Sequence, residues 1–120
     1  MAVEHDSALC NHDPAVAANA LEILPPEDQS PSHLELLWVR VVNDTAATVW
    51  LHLYDATLAS LPGAVPRAFP ATPIQAGDSP LIPIDVEFSN AIAGLVSTAA
   101  DGTGQPTTPV FVNAAYVFTA

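Results

Sequence analysis

The chain has 120 residues, of which 50% are hydrophobic and 12% are charged, and its thirteen acidic side chains stand against two arginines and no lysine. The formal net charge of −11 argues against a nucleic-acid-binding protein, because such proteins need Lys and Arg to displace counterions from phosphates. It disfavours anionic membranes for the same reason. No apolar run approaches the roughly 20 residues of a membrane-spanning helix, and the start of the chain lacks the pattern of a secretory signal. We therefore expect a protein made in a cytoplasm that binds neither nucleic acid nor membrane.

The length suits one domain with one core. The single cysteine, Cys10, has no partner for an internal disulfide, so the fold is not expected to depend on oxidation. A charged fraction this low is unusual for a small monomer, whose surface is large relative to its volume. Because large exposed apolar patches mark interaction sites, we expect an oligomer or a subunit of a larger assembly.

Residues 1–33 form an acidic leader without a single Lys or Arg. Within it, Asp13 suits an N-cap and Pro14 suits a first helical position, so the pattern predicts a short helix over 14–24. We interpret the leader as an extended N-terminal arm that docks on its own body or on a neighbouring subunit. Residues 34–120 are predicted to be a separate β domain that folds without the arm.

The body opens with two runs of strand-forming residues, 36–42 and 48–54. A five-residue link rich in turn formers joins them, which predicts a β-hairpin. Because side chains alternate along a strand, Val49, Leu51 and Leu53 are expected on one buried face.

Shorter signals fill the rest of the chain. Residues 56–79 contain several prolines and predict a long loop with an edge strand, and residues 82–88 alternate apolar and polar side chains. A weaker strand is expected over 91–98, a turn cluster over 101–106, and a final strand, apolar on both faces, over 110–118. This pattern predicts an all-β fold, either an antiparallel β-sandwich or a small barrel.

The leader contains the densest group of metal-capable side chains. The group consists of His5, Asp6, Cys10, His12 and Asp13. Zinc binds these residue types, but their spacing matches no structural zinc pattern, so we interpret the group as part of a solvated or docked arm. Asp101, with Gly102 and Gly104 nearby, lacks the acidic series of a calcium loop and predicts a plain turn. We expect no metal and no cofactor.

Two groups have the residue types of catalytic sites. His52, Asp55 and Ser60 match a nucleophilic triad in type, but no elbow motif or oxyanion loop accompanies them. Asp85 and Glu87 are paired carboxylates, yet both lie on the expected solvent face of one strand, whereas glycosidases need two carboxyls across a cleft. We therefore expect no catalytic residues.

The expected hairpin gathers an aromatic patch on its second face. The patch consists of Trp38, Arg40, Trp50, His52 and Tyr54. In the expected register Arg40 lies opposite Trp50, within reach of a cation–π contact, and Trp38 lies opposite His52. Trp, Tyr and Arg are typical of protein–protein hot spots, so we predict an interface here. Binding of sugar rings, or coverage of this face as a second core, are the alternatives.

Several short motifs follow one another in the body. In chain order they are Leu-Tyr-Asp-Ala at 53–56, a loop through Pro62 and Pro66, a strand at 88–92, Ser-Thr at 97–98 and a closing strand that ends near Tyr116. Together with segment 41–56, this order resembles small tailed-phage virion proteins over about residues 41–116. Ala91 stands where a Gly is common in that pattern, and the acidic leader has no counterpart in it.

The resemblance implies a β-sandwich without catalytic residues, located in the virion and made in the host cytoplasm. Most directly it implies a head decoration (cement) protein, a homotrimer that stabilises a phage capsid. Its partners would be the major capsid protein and copies of itself. The alternatives are a tail-fibre or adhesin-like module and a carbohydrate-binding β module.

Overall fold

Turn-forming residues divide the chain into eight strands within the part that the computed structural model describes, residues 3–11, 20–24, 33–61 and 66–119. The strands are β1 (Val3–Cys10), β2 (Leu21–Ile23), β3 (His33–Val42), β4 (Val49–Asp55), β5 (Arg67–Ile74), β6 (Leu81–Glu87), β7 (Ile92–Ser97) and β8 (Val110–Thr119). They form two antiparallel four-stranded sheets, sheet A in the order β1-β8-β3-β6 and sheet B in the order β2-β7-β4-β5. The sheets pack together, so the predicted all-β antiparallel sandwich is confirmed.

Alternation along the strands builds the core between the sheets. Val49, Leu51 and Leu53 of β4 are each about 1% exposed, which confirms their predicted inward face. Leu36 and Val39 of β3 are fully buried, and the register shift between Leu36 and Trp38 explains why their spacing is three residues instead of two. Burial of side chains of this size stabilises the fold by about 1.5–3 kcal/mol each.

The position of β8 explains why its sequence is apolar on both faces. It lies between β1 and β3 in sheet A, where Val110, Val112 and Ala114 are buried in the core. Phe111 points to the opposite side and is exposed. The strand predicted over 110–118 is therefore confirmed, and the structure shows that it is a central strand of sheet A.

The predicted hairpin of β3 and β4 is wrong, because the two strands lie in different sheets. β3 pairs with β6 and β8, whereas β4 pairs with β5 and β7. The buried side chain of Asn43 accounts for this path: its amide donates to the carbonyls of Ala47 (2.9 Å) and Ile74 (3.0 Å), and its oxygen accepts from Thr45. Since Ile74 belongs to sheet B, these bonds direct the connection across the sandwich.

The leader docks on its own body, which is one of the two expected options, but it does so as strands of the β domain and not as a separate arm. β1 pairs with β8 along its whole length at the edge of sheet A, and β2 pairs with β7 at the edge of sheet B. Leu21 and Ile23 are buried in the core. The helix predicted over 14–24 is therefore wrong where β2 lies, and residues 14–19 lie outside the described residues. The predicted division at residue 33 needs the same correction, since both sheets use strands from before it.

The Pro-rich stretch 56–79 contains the predicted edge strand. This strand is β5, at the edge of sheet B, where Pro70 and Pro73 are tolerated because an edge strand has one unpaired side. A short 3₁₀ helix, Leu58–Ser60, precedes it. Within the described part of the chain, no helix has the length and apolar character to cross a membrane.

Candidate functional site

The predicted aromatic patch is divided between the two outer surfaces of the sandwich. Trp38 and Arg40 lie on β3, in sheet A, and Trp50 and Tyr54 lie on β4, in sheet B. The expected cation–π contact of Arg40 with Trp50 is therefore wrong. Instead, the Arg40 Nε donates to the carbonyl of Ser79 at 3.4 Å.

On the outer face of sheet B, part of the patch belongs to a second, smaller core. The chain after β4 places Leu58 and Leu61 over this face. They pack with Ala20, Ala93, Leu95 and Tyr54. The carboxylate of Glu22 accepts a hydrogen bond from the Leu58 N–H at 2.6 Å, which fixes the 3₁₀ helix on the sheet. For Tyr54, the alternative that this face is covered as a second core therefore holds.

His52 lies on the same face and is fully buried in a polar network. The Arg67 Nε donates to its Nδ1 at 3.1 Å, and its Nε2 lies 2.6 Å from the Ser97 hydroxyl. Because a guanidinium only donates, Nδ1 must be the acceptor, and a neutral ring then has its proton on Nε2. His52 therefore donates to Ser97, and the Ser97 hydroxyl donates onward to the Ala99 carbonyl at 2.7 Å.

This direction of donation is the reverse of the one that nucleophilic catalysis needs. A nucleophilic serine gives its proton to the imidazole, whereas Ser97 receives a proton from His52 and is itself fully buried. The triad weighed from the sequence is not assembled either. Asp55 accepts from the backbone N–H groups of Ser89 and Asn90, and Ser60 bonds with Thr57. The network around His52 therefore supports the fold.

The other acidic candidates lie where the sequence predicts. Asp85 and Glu87 are exposed on β6. The Asp101 carboxylate accepts hydrogen bonds from the hydroxyl and the backbone N–H of Thr103, and these bonds lower the Asp101 pKa. Gly102 has a φ of +89°, as a tight turn requires. The predicted plain turn is confirmed.

The metal-capable group of the leader is spread over both faces of β1. Cys10 faces the core and is fully buried, whereas His5 lies on the outer face with its ring 5.7 Å from the Trp38 ring. His12 and Asp13 lie outside the described residues. Within the described residues, no three His, Cys, Asp or Glu side chains cluster as metal ligands do.

Burial of Cys10 has a measurable consequence. Desolvation raises the pKa of its thiol from 9.0 to about 12, so little reactive thiolate exists in the folded chain. We expect a thiol reagent at pH 8 to modify Cys10 on the order of 100-fold more slowly in the native protein than in urea. Reaction at equal rates would contradict the buried position.

The same pKa predicts a loss of stability at alkaline pH. Between about pH 9 and pH 12 the thiol ionises in the unfolded chain but not in the folded one, so unfolding releases a proton and the free energy of unfolding falls as the pH rises. Urea titrations of the parent and Cys10→Ala over this range should show a smaller decline for the variant. Identical declines would contradict this assignment.

The outer face of sheet A carries exposed apolar side chains, together with the carboxylates of Glu35 and Glu87 near one end. Leu9 of β1 lies opposite Phe111 of β8, and Phe111 lies opposite Val42 of β3, so the three form a cross-strand row. Five large hydrophobic side chains are exposed in the described part of the chain: Val3 (52%), Leu9 (52%), Leu24 (54%), Leu81 (53%) and Phe111 (40%). All of these except Leu24 point to this face, as their register with β8 and β3 shows. Trp38 and Arg40 lie on it as well.

Sequence reasoning missed this surface because it assigned the leader to an arm. The available signal was the final strand, whose apolar residues lie on both faces and not only on the face that packs in the core. No protein-family model matches the chain, and no curated protein matches it. The outer face of sheet A is therefore the candidate functional site on physical grounds.

Proposed function

We propose that this chain is a non-enzymatic assembly protein that docks on other protein subunits through the outer face of sheet A. The observation that carries the proposal is the contrast between the two outer faces. Leu58 and Leu61 cover part of sheet B, whereas Val3, Leu9, Leu81 and Phe111 remain exposed on sheet A. An apolar surface of this kind gains free energy when a partner removes it from water.

The composition of the face also suits an interface. Trp38, Arg40 and Phe111 supply the aromatic and guanidinium groups that are typical of hot spots, and Arg40 is the only Lys or Arg among the described residues of this face. Two of the five residues of the predicted interface thus belong to the proposed surface. His52 does not, because it is fully buried on the opposite sheet.

The more specific proposal is a head decoration protein of a phage capsid, acting as a homotrimer on the major capsid protein. The resemblance to tailed-phage virion proteins and the sandwich fold support it. The net charge of −11 also suits an outer protein, because it prevents competition for the packaged genome. We prefer the assembly role to the glycan-binding alternatives, because the aromatic patch is divided between two sheets and offers no single platform for a sugar ring.

The test is a matched pair of charge-introducing variants. Leu9→Asp places a carboxylate on the outer face of sheet A, and Ala59→Asp places the same charge at an exposed position on the side of sheet B. We expect Leu9→Asp to weaken association by about tenfold or more and Ala59→Asp to leave it unchanged. Mass from light scattering and cosedimentation with undecorated capsids measure self-association and capsid binding, respectively.

Equal behaviour of the two variants would contradict docking through sheet A. If Leu9→Asp changes self-association but no variant or parent protein sediments with capsids, the assembly surface stands and the capsid partner is wrong.

A further inference from the structure

β1 differs from the other long edge strands of the described structure in having no proline, no left-handed residue and no break in its register. β6 contains Pro83 and a left-handed residue, Asp85 (φ +51°), β5 contains two prolines, and β2 has only three residues. β1 has eight residues without proline, paired with β8 in unbroken register. Such an edge presents a row of backbone donors and acceptors to another strand.

The inner side of this edge is acidic. Glu4 lies opposite Tyr116 and Asp6 lies opposite Ala114, so both carboxylates belong to the side of β1 that faces sheet B. Glu4 is exposed and Asp6 is partly exposed. Glu4, Leu34, Tyr116 and Phe118 are among the residues that line a pocket of about 220 Å³ here. Burial, and then the charges of Asp6 and Glu4, raise the pKa of Tyr116, which is consistent with a negative potential in this pocket.

The chain has no lysine, and both of its arginines form hydrogen bonds away from these acids. It contains no Lys and only two Arg residues. Arg40 bonds to the Ser79 carbonyl, and Arg67 bonds to His52 and to the Ala100 carbonyl. Any Lys or Arg side chain that pairs with Glu4 and Asp6 would therefore come from another molecule.

We propose that the open edge of β1 binds an extended segment of another protein that has Lys or Arg at alternate positions. The segment adds a strand to sheet A, and its alternate side chains fall on the inner side beside Glu4 and Asp6. There an alkyl stem packs on the rings of Tyr116 and Phe118 while its cationic head reaches the carboxylates. This site lies at the edge of sheet A and is distinct from the outer face that the proposed function uses.

Synthetic octapeptides test the proposal with the full-length protein. The probes are an alternating Lys-Val peptide, an alternating Glu-Val peptide, and the Lys-Val peptide with a central proline, which removes a backbone donor. We expect only the first to bind in calorimetry and to slow deuterium exchange of the Val3–Cys10 amides. The double variant Glu4→Gln, Asp6→Asn should bind it about tenfold more weakly, with an unchanged circular dichroism spectrum.

Three results would overturn the proposal. The first is no binding of the Lys-Val peptide, and the second is binding that neither the double variant nor the proline reduces. The third is full protection of the outward β1 amides in the free protein, which would mean that the chain itself or a second copy already covers this edge.

Discussion

A chain that begins at residue 33 should not fold as a cooperative unit. The truncation removes β1 and β2, and with them Cys10, Leu21 and Ile23, which are all buried in the core. Their burial contributes about 1.5–3 kcal/mol for each large side chain, which is comparable with the whole stability of 5–15 kcal/mol of a typical domain. The truncation also leaves β8 and β7 as edge strands, with apolar side chains exposed to water. Thermal and urea unfolding followed by circular dichroism measure the effect.

A complementation experiment is the matched control for this truncation. A peptide of residues 1–24 carries both missing strands, so adding it to the truncated chain should restore a cooperative transition. A native-like spectrum with a sharp melting transition for residues 33–120 alone would contradict this expectation. It would show that folding does not need the leader, as expected of an arm that lies outside the core.

Replacement of His52 by alanine should destabilise the fold by about 3 kcal/mol or more. The change opens a cavity in a fully buried position. It also removes the acceptor of the Arg67 Nε and the donor to Ser97, and an unsatisfied buried polar group costs about 1–3 kcal/mol. Urea titration gives the difference in the free energy of unfolding.

His5→Ala is the control, because His5 is exposed on the outer face of sheet A. We expect that variant to stay within about 0.5 kcal/mol of the parent. If His52→Ala keeps the parent's stability and loses only association, His52 is an interface residue as the sequence pattern suggested, and the buried network is wrong.

Periodicity predicted the strands of the body well but not their partners. The alternation of Val49, Leu51 and Leu53 identifies a buried face whichever sheet the strand joins. It does not show whether β4 pairs with β3, because the contacts that distinguish the two arrangements, such as the bond from Asn43 to the carbonyl of Ile74, join residues far apart in the sequence. The error in the hairpin then carried over to the aromatic patch, since its register placed Arg40 beside Trp50.

Composition does not predict the strands of the leader, for a different physical reason. Glu4 and Asp6 made β1 resemble a solvated segment by composition, although an edge strand with one open side tolerates acids there. Ala8 and Cys10 alternate toward the core from the same strand, but two small side chains are a weak signal of burial. Tertiary pairing with β8 decides the structure of this segment.

Covalent labelling of the two tryptophans before and after assembly tests docking through sheet A most directly. Trp38 and Trp50 are both partly exposed in the single chain and lie on opposite outer faces of the sandwich, so each reports on one face within the same sample. We expect assembly to reduce modification of Trp38 strongly and to leave Trp50 unchanged. Protection of Trp50 with unchanged modification of Trp38 would contradict the account.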